Sequence, residues 1–354
     1  MPRLTFIDSL RGLSIVWVVL FHMLYIPVPN PEIPAWARPW VARGDMGVTL
    51  FFIISAFSLC YTMGHYRGHD RSLLSFYLRR FIRIAPLYYV LLLVHIYRGW
   101  RYYTHGKNRL DISDWSANLL FVFNLFADNQ VGIVWACWAI GVLAIFYLIF
   151  PLLYQFFDNI WKCLVLVVLT LLLAHALEPI LGRQYFQWSF LRHLPMFAIG
   201  MLVFYALNRI AEIRGKRIIG AALMCLSLLF FVLLLRRDLI SYYWQGLVFS
   251  SLILGLAFSP FTLIVNRSTL FLGKISYSMY LWHPLLVFWL IPYYRAVSGL
   301  TIPLSVKYAI VVTSTLALLL VISYLSNRFI EEPGAKAGKK FQHRLLAGSN
   351  SGDG

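Results

Sequence analysis

The chain has 354 residues, of which 60% are hydrophobic and 13% charged, and its mean hydropathy is +0.72. About one quarter of the residues of a soluble domain are charged, so this composition excludes an ordinary soluble globular protein. Apolar runs recur along the whole length and predict an all-α protein that crosses the membrane many times. The net charge of +17 lies mostly in segments between those runs. This indicates membrane topology and lipid headgroups as its cause, and we expect no nucleic-acid partner.

About ten transmembrane helices are predicted from the apolar runs. Their approximate ranges are 9–26, 47–63, 82–97, 134–157, 163–177, 190–207, 218–235, 241–259, 275–292 and 308–327. A shorter apolar segment, 117–126, is predicted to be re-entrant or interfacial. We expect one membrane domain over 1–330 and a short, basic, disordered cytoplasmic tail over 331–354.

The loops predict how the helices cross the membrane. The first apolar run lacks the flanking residues of a cleavable signal peptide, so we expect it to stay in the mature protein. With the N-terminus inside, eighteen Lys and Arg residues fall in inner segments and eleven in outer ones. The positive-inside rule then places both termini in the cytoplasm of a multi-pass protein of the cell (inner) membrane. The four cysteines lie far apart in apolar runs, which indicates small core residues rather than disulfides or metal ligands. They are Cys60, Cys137, Cys163 and Cys225.

The first helix, "DSLRGLSIVWVVLFHML" (8–24), contains Asp8, Arg11 and His22. An ionisable residue within a membrane helix costs several kcal/mol unless it faces a cavity or a partner. Eleven residues at about 100° each place Arg11 and His22 on one face, about 16 Å apart along the axis. Asp8 is placed to pair with Arg11. Two alternatives stay open: Arg11 as a snorkelling or ion-paired helix end, and His22 as an interhelical hydrogen bonder.

Six stretches, taken in order, resemble one protein family. They are "DSLRGLSIVWVVLFH" (8–22), "GVTLFFIISAFSL" (47–59), "FYLRRFIRIAPLYY" (76–89), "WAIGVLAIFYLIFPLL" (138–153), "FLGKISYSMYLWHPLLV" (271–287) and "NRFIEEP" (327–333). In these stretches, which span nearly the whole chain, it resembles the membrane acyltransferase-3 family, the bacterial O-acyltransferases of surface glycans. The resemblance implies transfer of an acyl group, often acetyl, from cytoplasmic acyl-CoA to a hydroxyl of a cell-surface or lipid-linked saccharide, such as lipopolysaccharide or exopolysaccharide. We expect no metal.

The resemblance implies a catalytic role for His22 and a donor-binding role for the arginines. A neutral imidazole is well suited to take a proton from an alcohol near pH 7. A covalent acyl-histidine is the variant mechanism. Arginine binds phosphate bidentately and stays charged, which suits Arg79, Arg80 and Arg83 to the phosphates of CoA. Anchoring by the positive-inside rule is the alternative for these three, most of all for Arg79.

Arg11 and Asp45 are catalytic candidates together with His22, and Asp8, His283, Arg192 and Glu331 are candidates for supporting roles. Asp45 precedes the second helix and could orient His22, bind a sugar hydroxyl, or simply lie at the interface. His283, in "LWHP", could serve the chemistry or a structural hydrogen bond. Arg192 is a candidate for substrate contact. Glu331 matches a Glu-x-Pro element of the family, and a salt bridge to Arg11, Arg80 or Arg83 would explain it without catalysis.

The chain departs from the family pattern in the fourth helix. Leu143 stands where the family usually carries a glutamate, and Ala139 replaces a neighbouring serine. In the second helix, Thr49 and Ala56 replace residues that are often Asp and Gly. The loss of the glutamate leaves three readings open: an unusual acceptor, an acid placed elsewhere, or weak activity. Two rival functions stay open as well, a membrane transporter or exporter and a catalytically inactive scaffold.

Overall fold

The computed structural model describes residues 4–63, 72–97, 112–126, 129–211, 215–237 and 242–347, and these ranges contain helices and no strand. Ten long helices lie within them: α1 Thr5–Tyr25, α2 Met46–Met63, α3 Ser72–Tyr97, α4 Trp138–Phe156, α5 Ile160–Leu181, α6 Phe190–Ile210, α7 Lys216–Arg237, α8 Trp244–Phe258, α9 Arg267–Trp289 and α10 Leu304–Ser326. Each corresponds to one predicted helix. In the described ranges, eight helices are long and apolar enough to cross a membrane. The predicted all-α, membrane-spanning class is therefore confirmed.

Shorter elements connect the long helices. They are the helices Arg38–Val41, Ile112–Leu119, Arg183–Phe186 and Ile291–Ser298, the 3-10 turn Phe123–Leu125, and the π turn Asn327–Glu331. The π turn joins α10 to a final helix, α11, over Glu332–Ala347. The predicted short segment 117–126 is thus divided between the end of one helix and a 3-10 turn. Phe121 and Phe123 of this segment are buried inside the protein.

Two long helices begin earlier than predicted. α3 begins at Ser72 rather than near 82, and α9 begins at Arg267 rather than near 275. Both predictions covered only the apolar part of each helix and left out most of the polar turns that precede it. The extra turn of α9 is held by a capping box, in which Asn266 accepts from the Thr269 amide and Thr269 accepts from the Asn266 amide.

The segment after Glu331 also differs from its prediction. Residues expected to be disordered form α11 up to Ala347, and 348–354 lie outside the described residues. Gly334 and Gly338 of α11 lie directly against Pro86 and Ile82 of α3. Because this face packs on the bundle, the helix is stabilised despite its basic sequence.

The centre of the bundle depends on a close contact between α1 and α9. A Cβ atom at Gly12 would lie 2.6 Å from the Thr269 carbonyl oxygen and 2.7 Å from the Gly273 nitrogen. Thr269 also donates a hydrogen bond to Ser9 Oγ at 3.0 Å. Glycine at such crossings lets two helix backbones approach closely in a membrane bundle.

Successive helices alternate in direction. We call the end of the bundle that holds Thr5 the proximal end, and the end that holds Tyr25 the distal end. At the proximal end, Arg11 near the start of α1 donates to Ser58 near the end of α2 at 2.7 Å. Also at this end, Arg80 of α3 donates to Thr62 of α2 at 3.2 Å. The start of α3 therefore returns to the end at which α1 begins.

The glycine contact predicts a stability difference between two alanine variants. Gly12→Ala should lower the free energy of unfolding by about 1–3 kcal/mol, since the new methyl overlaps α9 backbone atoms. Gly299→Ala is the control, because its Cβ would lie 3.5 Å from the nearest carbonyl oxygen. Thermal unfolding in detergent would measure both. Equal midpoints for the two variants would contradict the close contact.

The alternation of helices and the distribution of Lys and Arg predict that both termini lie in the cytoplasm. A green fluorescent protein fused after Gly354 should fluoresce, and alkaline phosphatase inserted after Asn30 should be active. The reverse pattern would show that the orientation is inverted. An active phosphatase after Asn30 together with a non-fluorescent fusion after Gly354 would show that the number of crossings is odd.

Candidate active site

Three cavities follow one another from the proximal to the distal end. The proximal cavity, of about 330 Å³, lies between α3, the π turn and α11. The middle cavity, of about 60 Å³, lies between α1, α2, α3, α4 and α9. The distal cavity, of about 240 Å³, lies where α1 ends and α2, α4, α6 and α8 begin. Arg80 and Arg83 line both the proximal and the middle cavity, and Val48 and Tyr280 line both the middle and the distal one.

The proximal cavity is strongly basic. Arg79, Arg80, Arg83 and Lys339 line it together with two carboxylates, Glu331 and Glu332, and Glu332 is already paired with Lys274 and Arg328. Arg83 is exposed and forms no ion pair or hydrogen bond with any residue that the structure describes. Its guanidinium is therefore available to an anionic ligand.

Arg80 and Arg11 carry positive charge into the middle cavity. The Arg80 guanidinium lies 5.5 Å from the Phe76 ring centroid and 5.7 Å from that of Tyr147. Arg11 forms the predicted ion pair with Asp8, at 3.2 Å. The two aromatic rings hold the Arg80 guanidinium at the cavity wall, and the Asp8 carboxylate holds that of Arg11 there.

Glu331 is held by neutral groups. It accepts hydrogen bonds from Ser278 and, at 3.3 Å, from Asn327 Nδ2. No ion pair links it to Arg11, Arg80 or Arg83 within the described part of the chain, so the salt bridge considered from the sequence is not formed. Its carboxylate lines the proximal cavity beside the arginines.

His22 reaches the distal cavity with one defined tautomer. Its Nδ1 lies 2.9 Å from the Val18 carbonyl oxygen. Because a carbonyl only accepts, Nδ1 carries the proton and Nε2 keeps a lone pair. Nε2 has no hydrogen-bond partner among the described residues, and the side chain is half-buried at the cavity wall. This is the form of imidazole that takes a proton.

His283 lies behind His22. The two ring centroids are 4.8 Å apart in an edge-to-face arrangement. His283 Nδ1 donates to the Tyr280 carbonyl at 2.6 Å, and the side chain is fully buried. Since His283 lines none of the three cavities, it is placed to act on substrate only through His22.

Asp45 and Arg192 share the distal cavity with His22, as do Trp138 and Trp188. No hydrogen bond joins Asp45 to His22 in the described structure. The surrounding protein raises the pKa of the Asp45 carboxyl through desolvation. The predicted residues His22, Asp45 and Arg192 therefore meet at one cavity, without direct pairing of the first two.

Two residues of this cavity, His193 and Tyr242, were not predicted as site residues from the sequence. His193 Nδ1 lies 2.5 Å from the Tyr242 hydroxyl, and the Arg192 guanidinium lies 4.8 Å from the Tyr242 ring centroid. His193 is buried and follows Arg192 in an apolar helix, which was a signal available from the sequence. Tyr242 carried no such signal, because it lies at the start of the predicted helix 241–259, where tyrosine is a common membrane-interface residue.

The departures from the family pattern fall in different places. Leu143 lines the middle cavity, near Arg11 and the other arginines. Thr49 lines the distal cavity and donates to Gln245 Oε1 at 2.6 Å. Ala56 is buried against Gly200 of α6. The position at which the family usually carries a glutamate therefore lies near the arginines and not beside His22.

Within the described ranges, no group of three His, Cys, Asp or Glu side chains could hold a metal ion. The four cysteines are free thiols, of which Cys225 is exposed and the other three are buried. The Cys137 Sγ atom lies 3.9 Å from the Tyr88 hydroxyl oxygen and donates to the Val131 carbonyl oxygen at 3.3 Å. These contacts are those of a buried structural thiol.

Comparison with known proteins identifies relatives over most of the chain. The O-acetyltransferase OatA of Staphylococcus aureus, in strains NCTC 8325 and COL, is 27% identical over 376 residues. That alignment covers 94% of this chain and 57% of OatA, so the chain spans little more than half the length of these relatives. No solved structure matches. The model of the acyltransferase-3 family, described as an acyltransferase domain, matches residues 4–327. This match includes all ten long helices, the middle cavity with Arg11 and the distal cavity with His22. The chain therefore belongs to the acyltransferase-3 family.

Proposed function

We propose that this protein transfers an acetyl group from acetyl-CoA to a hydroxyl of a saccharide outside the cytoplasm, with His22 as the general base. The observation that carries the proposal is the row of three adjoining cavities, which begins at Arg79, Arg80 and Arg83 and ends at His22. A transfer between two compartments needs one site open to each side and a path between them. Membership of an acyltransferase family and similarity to OatA support the chemistry.

The proximal cavity suits the nucleotide end of acyl-CoA. Its phosphates need several fixed cations, and Arg83 has no partner among the described residues that would compete with them. Arginine also offers two parallel N–H donors to each phosphate. Glu331, in the same cavity, would repel phosphate, so we place the phosphates on the α3 side.

The middle cavity suits the narrow arm of the donor. Its volume of about 60 Å³ accommodates a slender chain better than a ring. Arg11 lies on this path, about 16 Å along the α1 axis from His22. The arm would deliver the thioester past Val48 and Tyr280, which form the wall shared with the distal cavity. Leu143 lines the same path, so it affects the donor more directly than the acceptor.

The distal cavity suits a saccharide. Trp138 and Trp188 offer aromatic faces to the C–H surface of a sugar ring, while Asp45, Gln187 and Arg192 offer hydrogen bonds to hydroxyl groups. The acceptor is a cell-surface or lipid-linked glycan in this proposal, and the protein lies in the cell membrane. The name O-acetyltransferase, carried by the relative OatA, supports a hydroxyl as the group that is modified.

In the proposed reaction, His22 acts first as a base and then as an acid. Nε2 takes the proton of the acceptor hydroxyl as its oxygen attacks the thioester carbonyl, and the C–O bond forms. The C–S bond then breaks, and the imidazolium returns the proton to the leaving CoA thiolate. The Nδ1 bond to Val18 holds the ring in one orientation throughout. Attack by Nε2 itself would form an acyl-histidine, and acid-quench mass spectrometry of the enzyme with donor alone would detect it.

His22→Ala should reduce acetyl transfer by about 10²–10⁴-fold, because a positioned base supplies a rate factor of that size. Donor binding should be nearly unchanged, since the phosphate site lies at the other end of the path. Radiolabelled acetyl transfer to membrane glycans would measure the rate. His175→Ala is the control, since that side chain is exposed on α5 away from the cavities. Near-normal transfer by a folded His22→Ala protein would make His22 a structural hydrogen bonder.

Arg83→Ala should weaken acetyl-CoA binding by about 1–3 kcal/mol, the size of a lost charge-assisted bond. Arg209→Ala removes an exposed cation at the same end of the bundle, outside the cavity, and should leave binding unchanged. Calorimetry with the purified protein would give both affinities. Unchanged affinity in Arg83→Ala, Arg80→Ala and the double variant would remove the phosphate site from the proposal.

A further inference from the structure

A fourth cavity, of about 500 Å³, lies at the distal end and shares no lining residue with the other three. It is enclosed by the end of α1, the segment 27–33, the helix Ile291–Ser298 and the start of α10. Leu20, Met23 and Leu24 of α1 line it, whereas Phe21 and His22 of the same turns line the distal cavity. The two cavities therefore lie on opposite sides of one helix.

The fourth cavity is apolar on its membrane-helix side. α1 contributes Leu20 and Leu24, and α10 contributes Val311 and Val312. This wall matches the surface of a hydrocarbon chain, whereas it offers a sugar or another soluble metabolite few hydrogen-bonding groups.

The rim of the fourth cavity carries two cations. Arg295 donates from Nη2 to the Val28 carbonyl at 3.0 Å, and Lys307 donates from Nζ to the Ser298 carbonyl at 2.6 Å. Glu32 lines the same rim, but it forms no ion pair with either cation in the described structure. The rim thus has an excess of positive charge, and both cations keep N–H groups that no carboxylate uses.

We infer that the fourth cavity binds a phosphate-bearing lipid, with the phosphate at Arg295 and Lys307 and the first part of the hydrocarbon chain along α1 and α10. Charge complementarity selects an anionic headgroup, and the apolar wall selects a lipid over free phosphate. A bilayer phospholipid and a polyprenyl phosphate both have this chemistry. The inference concerns binding and does not depend on acetyl transfer.

The test compares two matched lipid pairs on the purified full chain by native mass spectrometry, without acyl donor. The pairs are polyprenyl phosphate with polyprenol, and phosphatidylglycerol with diacylglycerol. At least one phosphate-bearing lipid should bind more tightly than its neutral counterpart, and the tighter of the two identifies the source. Arg295→Gln and Lys307→Gln should each weaken that binding about tenfold, and Arg183→Gln, an exposed cation outside the cavity, should not.

A second variant tests the apolar wall. Val312→Trp should narrow the cavity along α10 and weaken binding of the phosphate-bearing lipid while the headgroup contacts remain. If this variant does not fold, the two Gln variants decide the question. Equal binding of both members of each pair, or no effect of either Gln variant, would overturn the inference. Inorganic phosphate that binds as tightly as the lipids would overturn the lipid assignment.

Discussion

The contact between α1 and α9 is the constraint on which the candidate active site depends. Gly12 brings the two backbones so close that a single methyl group would overlap the Thr269 carbonyl. α1 carries Arg11 and His22, while α9 carries the tyrosines and the histidine that surround them. With the axes fixed at this distance, Tyr280 reaches the wall between the middle and distal cavities, and His283 packs edge-to-face against His22.

The cost of placing ionisable groups in an apolar bundle explains the polar architecture around that contact. Arg11 is accommodated by Asp8 and Ser58, and Arg80 by Thr62 and two aromatic rings. Groups that keep an unused donor or acceptor, such as Arg83 and His22 Nε2, border cavities instead. The same rule that makes these residues costly in lipid therefore places them where ligands can reach them.

The two ends of the path differ in chemistry. The proximal cavity contains four basic side chains on α3 and α11, and the distal cavity combines indole rings with amide, carboxylate and guanidinium groups. Replacement of the family glutamate by Leu143 changes the wall of the middle cavity, and Thr49 changes the distal one. In the proposed reaction, a change at position 143 would therefore affect the acyl donor, and a change at position 49 would affect the acceptor.

The sequence by itself determined the helical membrane class, ten apolar segments close to the observed long helices, the shared face of Arg11 and His22, and the family. These follow from local hydrophobicity, helical periodicity and short motifs. Only the tertiary structure decided where α3 begins and that α11 forms, because charged turns such as those around Arg80 are stabilised by packing that no local pattern records. It also decided that Asp45, Arg192, His193 and Tyr242 meet His22 at one cavity. Those residues come from separate segments, and only the crossing of the helices determines the distances between them.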